Sequence, residues 1–345
     1  MGNSLNKTIE KIRRNDPTLG ADVCLTNRRL GDDEVQLVSE ALAENNTIQV
    51  VSLFDNNIGT DGAKALGEAL RQNSTLQKIY LGRNNIDEEG AKALSEVLKQ
   101  NSILQVIGLQ VNDVGNEGMT ALSAALTQNS SLRNIYLSWN RIGDEGATAL
   151  GEALKQNDTL RRIYLGWNDI GERGAQKLGE ALVHNSSLKE IYLRDNSIGN
   201  EGARALSRAL TQNNTLKQLH LSGNNIGDEG AKELSEALRQ NGTLRGIYLE
   251  GNDVGDEGAK ALSKSLIQNK TLEGLILRGN NIGEEGACAL IDALKHRNGT
   301  LKWLELHGNP GYHGDEDFQE EIKELQERNK QGMTCTTSLS SGTTS

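Results

Sequence analysis

Proline is almost missing from this sequence, and its two copies, Pro17 and Pro310, stand near the two ends. Between them no residue lacks a backbone donor, so a long regular array is open to the chain. Cysteine is scarce too. Cys24, Cys288 and Cys335 are far apart, odd in number and without a C-x-x-C pair, which argues against a disulfide framework and for reduced thiols. The five histidines (His184, His220, His296, His307 and His313) show no metal-ligand spacing. No apolar run approaches the roughly 20 residues that span a bilayer, and the opening Met1–Lys7 is polar rather than a secretory leader. The expected location is cytoplasmic. Phosphate-loop, zinc-protease, nucleophile-elbow and dinucleotide signatures are all missing. The expectation is therefore no enzyme, no cofactor and no metal. Aromatic residues make up 3% of the chain, so where they fall carries information.

What is present is repetition. A unit of the form L-x-x-I-Y-L-x-x-N-x-I-G-D-E-G-A-x-A-L-x-x-A-L-x-Q-N-x-T recurs every 28 residues from about residue 20 to residue 310. Its framework leucine falls at Leu25, Leu53, Leu81, Leu109, Leu137, Leu165, Leu193, Leu221, Leu249, Leu277 and Leu306, the last step being one residue longer. A fixed period of this length marks a solenoid whose units bury their apolar faces against their neighbours. In Leu76–Leu81 the alternation puts Ile79 and Leu81 inward and Lys78 and Tyr80 outward, as in a half-buried strand. An Asn- and Gly-rich turn follows, then apolar residues at helical spacing (Ala63, Leu66, Leu70). Acidic residues such as Asp144 and Glu145 open the helices, where the dipole favours negative charge. An Asn recurs three residues after the framework leucine, as at Asn56, Asn84 and Asn168, and is expected to satisfy backbone groups in each turn. The reading divides the chain into an N-terminal cap (1–20), the solenoid (21–310), a capping helix (311–330) built on Phe318, Ile322 and Leu325, and a disordered tail (331–345).

The repeat resembles the leucine-rich repeat family, L-x-x-L-x-L-x-x-N-x-L. Its 28-residue period and E-G-A-x-x-L helix are similar to the ribonuclease-inhibitor-like subgroup, which also occurs in NOD-like receptors, Ran GTPase activators and tropomodulins. The resemblance implies an α/β leucine-rich repeat solenoid, a horseshoe with about eleven parallel strands on its concave face and helices on its convex face. It implies a protein-protein interaction scaffold. Two alternatives come with it: a regulator of a small GTPase, and an actin-capping protein, since the run from Ile9 to Leu25 is similar to the start of the tropomodulin repeat domain. Ribonuclease inhibition is not expected, because that inhibitor's many cysteines have no counterpart here.

Function is sought where the repeats differ on their outward strand positions. One residue before the framework leucine stand Tyr80, Gly108, Tyr136, Tyr164, Tyr192, His220 and Tyr248; two after it stand Asp55, Arg83, Val111, Trp139, Trp167 and Asp195, then Gly223, Gly251, Gly279 and Gly308. Five of six tyrosines and two of three tryptophans thus share one strip. Tyr and Trp dominate protein-protein hot spots. The candidate protein-binding residues are Tyr80, Tyr136, Trp139, Arg162, Tyr164, Trp167, Tyr192, Arg194, His220 and Tyr248. The surrounding charge is close to neutral, which argues against nucleic acid. A basic row (Arg133, Arg161, Lys189, Lys217, Arg245, Lys302) is read as a solvated rim able to steer an acidic partner. Three further patterns are weighed. Asn85–Glu96 superficially matches a calcium loop, but its Gly and Glu are repeat residues. The acceptor pattern Asn-x-Ser/Thr at Asn73, Asn129, Asn157, Asn185, Asn241 and Asn269 is generated by the repeat itself, and glycosylation is not expected. Gly2 opens a partial N-myristoylation motif that has Asn6 where Ser or Thr is wanted, which leaves weak membrane attachment as an option.

Overall fold

A computed structural model describes residues 2–296, 298–311 and 316–331. The side chain of Phe318, Cys335 and the tail from residue 332 lie outside the described residues. The chain forms two compact units, Met1–Ser197 and Ile198–Ser345. The first contains α1 (Gly2–Arg13), β1 (Asp22–Cys24), α2 (Asp32–Glu44), β2 (Val50–Ser52), α3 (Thr60–Gln72), β3 (Lys78–Tyr80), α4 (Glu88–Leu98), β4 (Val106–Gly108), α5 (Gly115–Leu126), β5 (Asn134–Tyr136), α6 (Asp144–Leu154), β6 (Arg162–Tyr164), α7 (Glu172–His184) and β7 (Glu190–Tyr192). The second contains α8 (Gly199–Leu210), β8 (Gln218–His220), α9 (Asp228–Gln240), β9 (Gly246–Tyr248), α10 (Asp256–Gln268), β10 (Gly274–Ile276), α11 (Glu284–His296), β11 (Trp303–Glu305) and α12 (Glu316–Lys330). The eleven strands are parallel and ordered as they come in the chain, each followed by a helix. This is the α/β repeat solenoid that the periodicity requires.

Each strand proper is three residues long, but its ladder runs further. Gln77 N–H reaches Gln49 O at one end and Leu81 N–H reaches Gly108 O at the other, both within 2.8 Å. Ile79 and Leu81 are fully buried, while Lys78 and Tyr80 are half-buried. The helices turn Ala63, Leu66 and Leu70 inward onto the same core. In a parallel sheet the register repeats without offset: Tyr136 stands beside Tyr164, and Tyr164 beside Tyr192. Any residue type that recurs in the sequence therefore becomes a row in space.

Buried asparagines bind the repeats together. Asn168 Nδ2 donates to the Leu137 and Leu165 carbonyls at 3.0 and 2.9 Å, and its Oδ1 accepts from the N–H groups of Asn140 and Ile142 at 2.9 and 3.0 Å. A second row lies at the helix ends. Asn157 Nδ2 donates to the Leu126 and Asn129 carbonyls at 2.8 and 3.2 Å while Oδ1 accepts from Thr159 and Leu160 N–H at 3.1 and 2.8 Å. This row includes Asn73, Asn129, Asn157, Asn185, Asn241 and Asn269, named above for the glycosylation pattern, and each of them is buried with its amide used.

The acidic helix starts do more than face a dipole. Asp144, first residue of α6, accepts from the N–H groups of Gly171 and Gly174 at 2.7 and 2.8 Å, and so caps α7 of the following repeat. Asp228 does the same for Gly255 and Gly258 in the second unit. In the calcium-like segment, Asp87 is held as a helix cap, accepting from Gly90 N–H at 2.9 Å and from the Thr60 hydroxyl at 2.7 Å. Near the end of the chain, Arg328 of α12 donates to the carbonyls of Leu294, Lys295 and Asn298, and Ile322 of the same helix is buried.

Candidate protein-binding face

Two rows of rings stand on the strand side of the first unit. Tyr136, Tyr164 and Tyr192 stack with centroids 4.3 and 4.1 Å apart and planes within 15°, close to the spacing of the strands that carry them. Each ring covers its neighbours' faces, so the tyrosines are half-buried and show mainly their edges. Burial and the adjoining Tyr164 hydroxyl push Tyr136 up to about 12, and burial with the Glu190 carboxylate raises Tyr192 as well. Glu190 accepts the Tyr192 hydroxyl at 2.8 Å and pairs with Arg162 at 2.9 Å, closing a tyrosine–glutamate–arginine network.

The second row is more exposed. Trp139 and Trp167 stack at 5.5 Å and 11°, and the Arg194 guanidinium lies 4.8 Å over the Trp167 ring while its Nε holds Asp195 at 2.6 Å. Trp139 is 54% exposed and Trp167 37%. Their backbone explains the exposure. Trp139 N–H continues the ladder to Gly166 O and Trp167 N–H to Arg194 O, after which the chain must turn sharply into the buried asparagine. The turn needs positive φ. Gly223, Gly251, Gly279 and Gly308 provide it in the second unit, whereas Asp55, Arg83, Val111, Trp139, Trp167 and Asp195 adopt it in the first, the tryptophans at 60° and 53°. A side chain in this region costs about 1 kcal/mol or more, and a β-branched residue such as Val111 is a rarer occupant still. The signal was visible in the sequence as glycine at the same column in four repeats, and the strain it implies for the others was not drawn from it.

The remaining sequence candidates are placed as follows. Tyr80 is separated from the tyrosine stack by β4, where Gly108 occupies the position. In the second unit His220 and Tyr248 form their own stack at 3.8 Å. Trp303, on β11, is 48% exposed and was not among the candidates. The basic row ties neighbouring repeats together along the rim: Arg133 donates to Thr159 O, Arg161 to Ser187 O and Lys217 to Thr243 O, while Arg245 and Lys302 both pair with Glu273. Arg133, Arg161 and Lys217 thus reach carbonyl oxygens of the loop before the next strand. Among the described residues no helix is long and apolar enough to cross a membrane.

A family model for the leucine-rich repeat matches residues 44–67, 72–95, 128–151, 156–179, 184–207, 212–235, 240–263 and 268–290, more than half of the chain. The chain belongs to the leucine-rich repeat family. No curated protein matches it. Among solved structures it is similar to the leiomodin-1 actin-binding site 2, at 22% identity over 46% of this chain and 90% of that one with a TM-score of 0.40. It is also similar to the tropomodulin C-terminal domain of Caenorhabditis elegans, at 20% identity over 44% and 92% with a TM-score of 0.39. A chain in the octameric complex of Latrophilin 3, Unc5D and FLRT2 shares 16% identity over 76% and 68% with a TM-score of 0.45. Leucine-rich repeat arrays are typically interaction scaffolds, and the repeats of this one are of that kind. The longest internal stretch outside the family matches, residues 96–127, contains β4.

Proposed function

We propose that this leucine-rich repeat protein is a non-enzymatic scaffold that binds a protein partner on the strand side of its first unit, centred on β5, β6 and β7. The observation that carries the reading is the pair of tryptophans kept at positive φ. Repeats elsewhere in the chain place glycine at the same turn, so the fold has an unstrained solution available. Strained and solvent-exposed tryptophans oppose both stability and solubility, and such outliers cluster at ligand contacts. The Arg194 guanidinium stacked on Trp167 adds the third residue type enriched at hot spots. The tyrosine row alone supports less, because stacking along a sheet stabilises the array by itself.

The test is a footprint. A partner captured by the intact chain should protect the ladder amides of residues 134–139, 162–167 and 190–195 from hydrogen exchange. Protection confined to the helices would refute the assignment.

A further inference from the structure

The exposed apolar side chains on the strand side of the first unit lie in one line. Val111, Trp139 and Trp167 follow β4, β5 and β6 at the same turn position, 40, 54 and 37% exposed, and all three hold positive φ. Because the ladder continues through these turns without offset, the line runs across the strands rather than along them. Its spacing is set by the tryptophans, whose ring centroids are 5.5 Å apart with planes at 11°. The charges around the line are already matched to one another. At its ends Arg83 pairs with Asp55 at 3.7 Å and Arg194 with Asp195 at 2.6 Å. Towards the tyrosine row the bordering side chains are the uncharged Gln110 and Ser138. On the loop flank Arg141 pairs with Asp113 at 2.9 Å. Asp169 stands one repeat beyond Arg141, is exposed, and makes no ion pair among the described residues. A surface that covers the line must therefore be apolar along its middle, since a charge brought there would be desolvated without a counterpart. The open charge beside the line is a carboxylate.

We propose that the line Val111–Trp139–Trp167 seats an amphipathic α-helix of the protein partner, laid across β4, β5 and β6 with a lysine or arginine on the flank beside Asp169. The inference rests on the strand-side reading above and names the element that docks there. Spacing selects the helix. Side chains on one helix face recur at each turn, about 5.4 Å apart along the axis, so the two tryptophans, 5.5 Å apart, fit between successive turns as ridges fit grooves. An extended strand repeats its same-side residues about 6.6–6.8 Å apart and falls out of step by about 1 Å at each member of the line. A polyproline helix repeats a face every third residue, about 9.3 Å, which matches neither one spacing nor two. The lone open carboxylate sets the orientation, because it favours a basic residue on one side of the apolar stripe.

The experiment selects binders of the full chain from a displayed library of randomised peptides about 16 residues long, enough for four helical turns. It keeps those that no longer bind the double variant Trp139→Gly with Trp167→Gly. These peptides are expected to carry apolar residues at i, i+3 or i+4 and i+7, with a basic residue to one side. Made as labelled synthetic peptides, they should bind the double variant about thirtyfold or more weakly and Asp169→Asn about threefold more weakly. A proline placed mid-peptide should abolish binding, since it breaks the helix. Should the double variant misfold, Trp139→Gly alone reads the same loss. Alternating or proline-rich sequences among the tryptophan-dependent binders, or no tryptophan-dependent binder at all, overturns the helix. An unchanged affinity for Asp169→Asn overturns the placement of its basic flank. The two readings fail separately. Tryptophan-dependent peptides without helical spacing refute the helix and leave the binding face standing, whereas a partner whose footprint is confined to the helices of this chain refutes the face, whatever the peptides do.

Discussion

Trp139 and Trp167 hold the tension between fold and function at the scale of single residues. Replacing either by glycine removes the strain of positive φ and also a stacking contact of about 0.5–1.5 kcal/mol, so the two effects nearly cancel. Replacing either by alanine loses the stack and keeps the strain. Trp139→Gly should therefore melt within about 1 kcal/mol of the parent and above Trp139→Ala, the reverse of the usual order in regular structure. Thermal melts of the two variants check this, and an alanine variant more stable than the glycine one would show that the turn carries no strain. A core change such as Leu165→Ala should cost about 2–5 kcal/mol by comparison. The tyrosine row gives a pH signature. Tyr136 sits at about 12, above the ordinary value near 10, so the folded state holds the phenolic proton more tightly than the unfolded chain does. That contribution is complete below pH 10 and is lost as the pH rises to 12. Ultraviolet titration should show Tyr136 ionising late, and Tyr136→Phe should flatten the fall in melting temperature across that window; an unchanged fall would contradict the assignment.

Each strand–turn–helix element is tied to its neighbours by side-chain amides as much as by apolar packing. Asn168→Ala leaves three carbonyls and two N–H groups without this partner, and should destabilise the chain by about 2–4 kcal/mol. Equilibrium denaturation measures it; a loss below about 0.5 kcal/mol would mean that water replaces the amide. The period, the inward leucines and this first row of asparagines were legible in the sequence, because each is a statement about spacing along the chain. The second asparagine row and the capping of α7 by Asp144 were not. Asn157 reads as a helix end or a glycosylation acceptor, and Asp144 as a dipole partner, until residues 27 to 31 apart are stacked together. The ties made by the basic row were not legible for the same reason, since the carbonyls that Arg133 and Arg161 reach belong to the next repeat.

For the whole molecule, the repeats establish membership of the leucine-rich repeat family and its scaffold architecture, while the part that distinguishes this chain is small. Columns of tyrosine were visible in the sequence, yet their stacking alone would be explained by the fold. What sets the first unit apart is that its turns carry Val111, Trp139 and Trp167 where the second unit has glycine. The central claim is that these side chains are retained for a partner. The most direct measurement is the calorimetric affinity of an identified partner for the parent chain and for the double variant Trp139→Gly with Trp167→Gly, with thermal melts of both. The account predicts an affinity loss of about 2–4 kcal/mol with the melting temperature kept. An unchanged affinity would contradict it.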